Sequence, residues 1–297
     1  MKSLFPELDQ QNSSTLIIIG NGFDLASGIM SSYQNFKMWL KQNGRQRLID
    51  LMDIFFSNQR DVWGDIEKAL GEYDEDGILD FCRPDEEIDY DHAMRSMAAV
   101  EDAPDWLFQP VLEEFTEAFK DWVNSINIKD AEKIRDLPTE SRYLTFNYTE
   151  TLEKLYGIAD SNILHIHGSR LSNGEEIIIG HDNPRDPNEA YNDEGQMLFI
   201  QQTWSKIIEW MNGLVKDTAA IISRNREFFN GLSDIEHVVV YGHSFYEVDW
   251  PYLEEIVKQI GTDISWSISY HTSEDLERIE SFIKHSQLNH VIKFQLD

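Results

Sequence analysis

Residues 16–29 read LIIIGNGFDLASGI and decide the fold class of this chain. The first four residues are apolar and mostly isoleucine, a β-branched residue that suits a strand buried on both faces. Gly20 and Gly22 then end the strand, and because glycine has no Cβ they can adopt positive φ and let a ligand approach the backbone. A helix that begins after them presents free N–H groups that attract phosphate. We therefore expect a buried strand, a tight turn and a helix, with a ligand at the turn.

The glycine spacing of this turn differs from the common nucleotide-binding motifs. A third glycine, Gly28, follows six residues after Gly22, whereas the dinucleotide fingerprint G-x-G-x-x-G would need glycine at Leu25. A P-loop is also excluded, because no Gly-Lys-Ser/Thr sequence follows. On its own, a Gly-Asn-Gly sequence after a strand is most often a tight turn.

Further apolar runs alternate with helical patterns along the chain. They predict buried strands at 141–145, 162–166, 176–179, 235–241, 264–270 and 291–294, with helices after 149 and at 274–285. Strands that alternate with helices are typical of an α/β fold with a parallel sheet covered by helices. We interpret residues 1–297 as a single α/β domain with helical insertions at about 35–135 and 196–232, where apolar residues recur at helical spacing.

Composition and charge exclude several classes of protein. No stretch approaches the roughly 18 apolar residues of a membrane span, and the first residues lack the pattern of a signal peptide. The single cysteine, Cys82, excludes an internal disulfide and fits a cytoplasmic protein. With 54 acidic and 25 basic residues, the net charge of −29 argues against nucleic-acid binding. Many of the carboxylates lie between residues 65 and 105, and we assign this acidic segment no function.

Polar residues follow five of the predicted strands. The carboxyl ends of parallel strands line the binding crevice of an α/β sheet. One interpretation is therefore a single nucleotide pocket that uses residues 20–28 around a pyrophosphate, Asn147 and His167 at the reacting ribose, and Gly242, His243 and Ser244 under the other ribose or phosphate. Asn21, Phe23 and Asp24 belong to the first of these segments.

Two other chemistries compete with the nucleotide pocket. His165 and His167 lie on one face of a strand and, with His181 and Asp182, could hold zinc or manganese. The sequence Gly242-His243-Ser244 is similar to a nucleophile elbow, but G-x-S-x-G needs a glycine where this chain has Tyr246.

In the nucleotide pocket, cleavage of the bond between nicotinamide and ribose needs positioning and one base. An amide such as Asn147 can hold a water or a ribose hydroxyl, and a histidine such as His167 can take its proton. The structural alternative for Asn147 is a helix N-cap. Asp24 could likewise point at a ribose hydroxyl or cap the helix after the turn.

Six short motifs follow one another across nearly the whole chain: GNGFDLASGI, WGDIE, LTFNYTETLEKLY, HIHG, IIIGHD and VVVYGHSFYEVDWPYL. Together they resemble the bacteriophage abortive-infection AbiH family. That family is similar in turn to the sirtuin-like NAD-binding fold, a Rossmann-like parallel sheet. In sirtuins the sequence GAGIS precedes a glycine-isoleucine pair, and the T-x-N, His-Gly and G-T-S segments match 145–147, 167–168 and 242–244 of this chain.

The chain departs from sirtuins at several positions. Thr149 stands where sirtuins have an aspartate, and Asn21 and Asp24 replace small residues of the glycine turn. The four cysteines of the sirtuin zinc module are missing, so the resemblance does not extend to protein deacylation. It implies a sirtuin-like fold with helical insertions and without a zinc module.

The function that the resemblance implies is that of an antiphage effector, which destroys NAD by hydrolysis to nicotinamide and ADP-ribose. In that case NAD is a substrate rather than a resident cofactor, Asn147 and His167 act at the nicotinamide ribose, and no metal takes part. The partners left open are a phage-derived trigger, a protein of the same defence operon and a second copy of the chain. A non-catalytic nucleotide sensor and a metal-dependent hydrolase remain alternatives.

Overall fold

The computed structural model describes residues 14–57, 61–83, 93–170, 177–192 and 197–296. These residues form two compact units. We call the first the sheet unit, whose described residues lie within Met1–Ser32, Val123–Ile178 and Asp217–Asp297, and the second the helical unit, whose described residues lie within Tyr33–Trp122 and Ile179–Lys216.

The sheet unit contains one six-stranded sheet in the order β3-β2-β1-β4-β5-β6, in which all neighbouring strands are parallel. This is the strand order of the doubly wound Rossmann-like fold, so the predicted fold class is confirmed. The strands are β1 Thr15–Ile19, β2 Arg142–Thr145, β3 Ile163–His165, β4 His237–Tyr241, β5 Ser265–Tyr270 and β6 His290–Gln295.

The described α-helices divide between the two units, except that α7 ends three residues into the sheet unit. The sheet unit contains α1 and α9 to α12, and the helical unit contains the helices between them. Their bounds are α1 Asn21–Ala26, α2 Tyr33–Gln42, α3 Gln46–Phe55, α4 Ile66–Gly71, α5 Glu75–Cys82, α6 Ala93–Ala103, α7 Gln109–Ser125, α8 Leu198–Asn212, α9 Thr218–Arg224, α10 Arg226–Asn230, α11 Trp250–Ile260 and α12 Ser273–Ser286.

Strand β1 is buried on both faces, as the isoleucine run predicts. Leu16 and Ile18 belong to an apolar cluster that includes residues of α11 and α12. Ile17 and Ile19 belong to a second cluster with Phe23. Alternate residues of a strand point to opposite faces, so β1 contributes to the core on both sides of the sheet.

The helical unit has an aromatic core of its own. Phe36 of α2 lies within 5.1 to 6.1 Å of four other rings, measured between centroids: those of Trp63, Phe115, Phe119 and Trp122. Aromatic contacts of this kind stabilise a core beyond the area they bury. Cys82, at the end of α5, is buried, and burial raises the pKa of its thiol to about 12.

The prediction of a strand at 176–179 is wrong for its described residues, 177–179, which form no strand. The Ile178 N–H donates to the carbonyl of His167 at 2.9 Å, but no ladder follows, because the chain enters the helical unit at Ile179. Residue 176 lies outside the described residues.

The helical segments lie close to where the sequence predicts them, with different limits. The helical unit takes up residues 33–122 and 179–216, whereas α9 and α10 belong to the sheet unit. The single domain with two insertions stays a prediction. Among the described residues, no helix combines the length and the apolar character needed to cross a membrane.

Candidate functional site

The strand register places the predicted site residues in one row. Ile19 is aligned with Thr145 on one side and with Tyr241 on the other, and Thr145 is aligned with His165. Two residues beyond this line stand Asn21, Asn147, His243 and His167. The row lies at the carboxyl edge of the sheet around β1, where the strand order reverses and Rossmann-like folds bind their ligands.

The glycine turn after β1 contacts the backbone at the end of β4. The N–H of Gly20 donates to the Tyr241 carbonyl, and that of Gly22 donates to the Gly242 carbonyl, both at 2.9 Å. A Cβ on Gly20 would lie 2.5 Å from the Cα of His243. Gly242 has φ of +63°, and a Cβ there would overlap the backbone nitrogen of Phe23. These three glycines are therefore required by the close contact of two backbone segments.

The N–H groups that the sequence predicts to bind phosphate donate to carbonyl groups of the protein instead. Besides Gly20 and Gly22, the N–H of Phe23 donates to the Gly20 carbonyl at 3.0 Å. The side chain of Phe23 is buried in the core, and the Asn21 amide oxygen accepts a hydrogen bond from Ser31 at 2.6 Å. Gly28 adopts φ of +83° in open space. The assignment of these residues to a nucleotide stays a prediction.

Asp24 is fully buried within α1. Its Oδ2 accepts a hydrogen bond from the hydroxyl of Thr149, which lies 3.0 Å from the hydroxyl of Thr151. Burial raises the pKa of Asp24, and the hydrogen bonds from Thr149, Thr151 and Asn147 oppose that shift. The N-cap position of α1 is Gly20, which has no side chain to cap it, so the alternative of Asp24 as a helix cap is wrong.

Asn147 joins β2 to the glycine turn. Its Nδ2 donates to the Gly20 carbonyl at 3.2 Å, and the residue is 7% exposed. Its Oδ1 is buried and has no hydrogen-bond partner among the described residues. The N-cap alternative is wrong here as well, because the π-helical turn at Leu152–Tyr156 has Thr151 at its N-cap. A buried acceptor without a partner is costly, and this one lies at the carboxyl edge of the sheet.

The His165 ring contacts the backbone of Asn147. Its Nδ1 lies 2.9 Å from the Asn147 carbonyl, and its Nε2 lies 2.8 Å from Oε1 of Glu153. Both partners are acceptors, so the doubly protonated imidazolium satisfies both hydrogen bonds.

Among the residues that the structure describes, His165, His167, His181 and Asp182 form no metal centre. His181 belongs to the helical unit, where its Nε2 lies 3.0 Å from the Met211 carbonyl and its Nδ1 accepts from the N–H of Asn183 at 3.2 Å. Burial lowers the pKa of His181. Within the described ranges, no group of three or more histidine, cysteine or acidic residues is arranged to hold a metal ion.

The row ends in a buried cluster of His167, His243 and Asp249. The Asp249 carboxylate lies 3.3 Å from Nε2 of His243 through Oδ2 and 3.8 Å from Nε2 of His167 through Oδ1. The Phe146 ring makes edge contacts with both imidazoles, at centroid distances of 4.3 and 5.4 Å. All three polar residues are at most 7% exposed. Nε2 of neither histidine makes a hydrogen bond to this carboxylate, so the contacts within the cluster are electrostatic.

The six sequence motifs all lie within one region that matches a protein-family model. The model of the family described as bacteriophage abortive infection AbiH matches residues 16–270. The chain belongs to the AbiH family. Neither the curated proteins nor the solved structures include a match to this AbiH member.

The structure brings together some of the residues predicted for this AbiH member and separates others. Gly20 contacts both Asn147 and His243, and the Asp249 carboxylate lies 3.8 Å from Nε2 of His167 and 3.3 Å from Nε2 of His243. Ser244 contributes a different contact, since its carbonyl accepts a hydrogen bond from Arg278 at 2.7 Å.

Asp249 is the functional candidate that the sequence interpretation misses. It precedes Trp250-Pro251 at the start of α11, a position that typically indicates an N-cap. The nine residues from Gly242 to Trp250 contain its only sequence signal, an acidic residue shortly after a histidine that follows a strand.

Proposed function

We propose that this AbiH member acts in abortive infection by binding NAD at the carboxyl edge of the sheet and hydrolysing it to nicotinamide and ADP-ribose. The single observation that supports this most is the buried Oδ1 of Asn147, which has no partner among the described residues. It lies at the reversal of strand order, where folds of this class bind nucleotides. A ribose hydroxyl or a water held there would supply the missing donor.

The proposed reaction asks for little covalent chemistry from the protein. The bond between C1′ of the ribose and the pyridinium nitrogen breaks, and its electron pair returns to the nicotinamide ring. Water adds to C1′, and its proton goes to a base. Asn147 would orient the water or a ribose hydroxyl, and His167 would accept the proton.

The proposal concerns the nicotinamide end of NAD. The N–H groups of Gly20, Gly22 and Phe23 already donate to protein carbonyls, so the pyrophosphate would need other donors than these three. We therefore assign the reacting ribose to Asn147 and His167 and leave the adenosine end with Gly242, His243 and Ser244 as a prediction.

The test is carried out in infected cells, because an effector of this kind must be silent before its trigger arrives. Cells that carry the wild-type chain, Asn147→Ala, His167→Ala or Lys258→Ala are infected, and NAD, nicotinamide and ADP-ribose are measured over time. Lys258 is the control, because its side chain is 71% exposed on α11. Wild type and Lys258→Ala should lose NAD and protect the culture, whereas the other two variants should do neither.

Two outcomes would contradict the proposal that this protein hydrolyses NAD. Protection by wild type with an unchanged NAD pool would overturn NAD hydrolysis. Protection that depends on Asn147, together with NAD that raises the melting temperature of the purified protein without release of nicotinamide, would favour the nucleotide sensor.

A further inference from the structure

One arginine of the sheet unit lies against the segment that follows β4. Arg278 belongs to α12, and its Nε donates to the carbonyl of Ser244 at 2.7 Å. Ser244 comes three residues after the end of β4, on the carboxyl side of the sheet near the reversal of strand order. The two residues before it, Gly242 and His243, lie against the glycine turn. Arg278 therefore lies beside the edge at which we expect a nucleotide to bind.

The guanidinium of Arg278 is held in one orientation by three groups. Besides the contact with the Ser244 carbonyl, its Nη2 donates to Oδ1 of Asp275, and the group lies over the Tyr246 ring, 4.5 Å from the centroid. The side chain is 28% exposed, so solvent and a ligand can reach it. A cation that is already oriented loses little conformational entropy when it binds an anion.

These contacts leave one end of the guanidinium available. Arginine carries five N–H donors in a planar fork, and the two hydrogen bonds occupy Nε and one hydrogen of Nη2. Within the part of the chain that the structure describes, Nη1 of Arg278 donates to no group. The end of the fork formed by Nη1 and Nη2 matches the spacing of two phosphate oxygens.

The carboxylate of Asp275 is balanced by other donors as well as by the arginine. Its Oδ2 accepts the backbone N–H groups of His271 and Thr272, at 3.1 and 2.9 Å, where α12 begins with a capping box. The N-terminal end of a helix stabilises a negative charge placed there. Because several groups share this carboxylate, part of the positive charge of Arg278 remains for a second anion.

Ser244 adds donors of its own beside the arginine. Its hydroxyl and its backbone N–H have no hydrogen-bond partner among the residues that the structure describes. The next residue, Phe245, has φ of +56°, which is uncommon for a residue with a side chain and occurs more often at ligand sites. Hydroxyl, backbone N–H and guanidinium groups are the usual donors to phosphate oxygens.

We propose that Arg278 binds the diphosphate of the dinucleotide through the Nη1–Nη2 end of its guanidinium, with Ser244 as a second donor. The inference rests on the proposed function for the identity of the ligand. It supplies donors that the glycine turn lacks, because the N–H groups of the turn donate to protein carbonyls. Asn147 and Ser244 follow β2 and β4, which are two strand spacings, about 10 Å, apart. A dinucleotide with one ribose at Asn147 would extend its phosphates towards Arg278.

The test compares ligands with and without phosphates in the purified full-length protein. ADP-ribose and ADP are titrated into wild type, Arg278→Ala and Lys284→Ala by calorimetry, and adenosine is titrated by NMR, which reaches millimolar Kd. We expect Arg278→Ala to bind ADP-ribose and ADP about 10- to 100-fold more weakly than wild type, the effect of losing hydrogen bonds to a charged group. Adenosine affinity should stay unchanged. Lys284→Ala is the matched control, because it removes an exposed cation from the same helix and should bind all three ligands like wild type.

Two further variants separate phosphate binding from support of the Ser244 segment. Arg278→Lys keeps the positive charge without the planar fork, and we expect about tenfold weaker binding of ADP. Ser244→Ala removes the hydroxyl but keeps the carbonyl that Arg278 contacts, so it should weaken ADP binding by less than Arg278→Ala. An equal loss of ADP and adenosine affinity in Arg278→Ala would show that the arginine only supports the segment, and would overturn the proposal.

Failure of this proposal differs from failure of the proposed function. Loss of NAD in infected cells, with unchanged affinity of Arg278→Ala for ADP-ribose, would overturn the role of the arginine and leave hydrolysis in place. Affinity for ADP-ribose that depends on Arg278, with a constant NAD pool in protected cells, would support the diphosphate site and overturn hydrolysis. Wild type that binds neither ADP nor ADP-ribose would overturn the diphosphate site.

Discussion

The glycine turn after β1 and the His167–Asp249–His243 cluster lie at the same edge of the same sheet, yet they use their residues differently. In the turn, backbone meets backbone, and the glycines leave no space for anything else. In the cluster, three buried polar side chains face one another. A glycine-rich turn in the position of a nucleotide cradle can therefore serve the fold, while the polar side chains at the same edge come from the residues around it.

The largest expected effect is that of Gly242→Ala. The new Cβ would overlap the backbone of Phe23, and φ of +63° disfavours any residue with a side chain. We expect a loss of about 2–5 kcal/mol in the free energy of unfolding, the sum of overpacking and backbone strain. Urea unfolding followed by circular dichroism measures it. A loss below about 1 kcal/mol would mean that the turn has room for a ligand. The turn would then not differ from the cluster in the way described above.

Gly20→Ala isolates the overpacking from the backbone strain. Gly20 has φ of −114°, which alanine adopts readily, but its Cβ would lie 2.5 Å from the Cα of His243. We expect a loss of about 1–3 kcal/mol from overpacking alone. The same unfolding experiment should rank it below Gly242→Ala. The reverse order would show that backbone strain at Gly242 contributes little.

Gly28→Ala isolates the strain. Gly28 has φ of +83°, and nothing lies within 4 Å of a Cβ placed there. We expect a loss of about 1–2 kcal/mol, which comes from the left-handed backbone. Gly28→Asn serves as the control, because asparagine tolerates this region better than alanine and should recover part of the loss. Equal losses in both variants would point to a contact of the side chain instead.

Asp24→Asn tests a buried carboxyl that, unlike Asp249, has threonine hydroxyls for partners. Because burial raises the folded-state pKa of Asp24, its protonated form stabilises the fold at low pH. That contribution is lost as pH rises from the unfolded value of 3.8 through the folded pKa. The variant should therefore gain stability relative to wild type across this window, by at most about 1.4 kcal/mol for each pH unit.

The control for that experiment is a carboxyl with the opposite shift. Hydrogen bonds from Asn188 lower the pKa of the exposed Asp186. Asp186→Asn should therefore lose stability relative to wild type as pH rises from the lowered folded pKa to the unfolded value of 3.8, and the difference should stay constant above it. Urea unfolding between pH 2 and pH 8 distinguishes the two variants, because the Asp186 trend lies below the unfolded value of 3.8 and the Asp24 trend above it. A flat Asp24→Asn difference above pH 4 would contradict the assigned shift of Asp24.

The strands that are buried on both faces were predictable because their composition leaves little choice. β1 and β4 are short, apolar and bounded by glycine, and the structure places both in the centre of the sheet. The apolar run at 177–179 has the same composition but forms no strand. Its composition could not show that the chain leaves the sheet unit at Ile179, the last residue of the run, because that depends on tertiary contacts.

The sequence predicts where the candidate site lies in the sheet better than it predicts which residues form it. Asn147, His167 and His243 follow strand ends, and a parallel register makes such residues neighbours. Asp249 was missed because an aspartate before a helix typically indicates a cap, and only the structure shows that its side chain turns away from that role. The sequence also does not reveal that Gly242 lies against Gly20 and Gly22, a contact that depends on the fold.

The buried thiol of Cys82 makes this chain convenient for kinetic study. It is the only cysteine in the sequence, and it belongs to the helical unit. A thiol with a pKa near 12 reacts slowly with disulfide reagents while it stays buried, so the labelling rate measures how often α5 opens to solvent. Because the sheet unit contains no cysteine, labelling with and without a nucleotide would report on the helical unit alone, without an engineered probe.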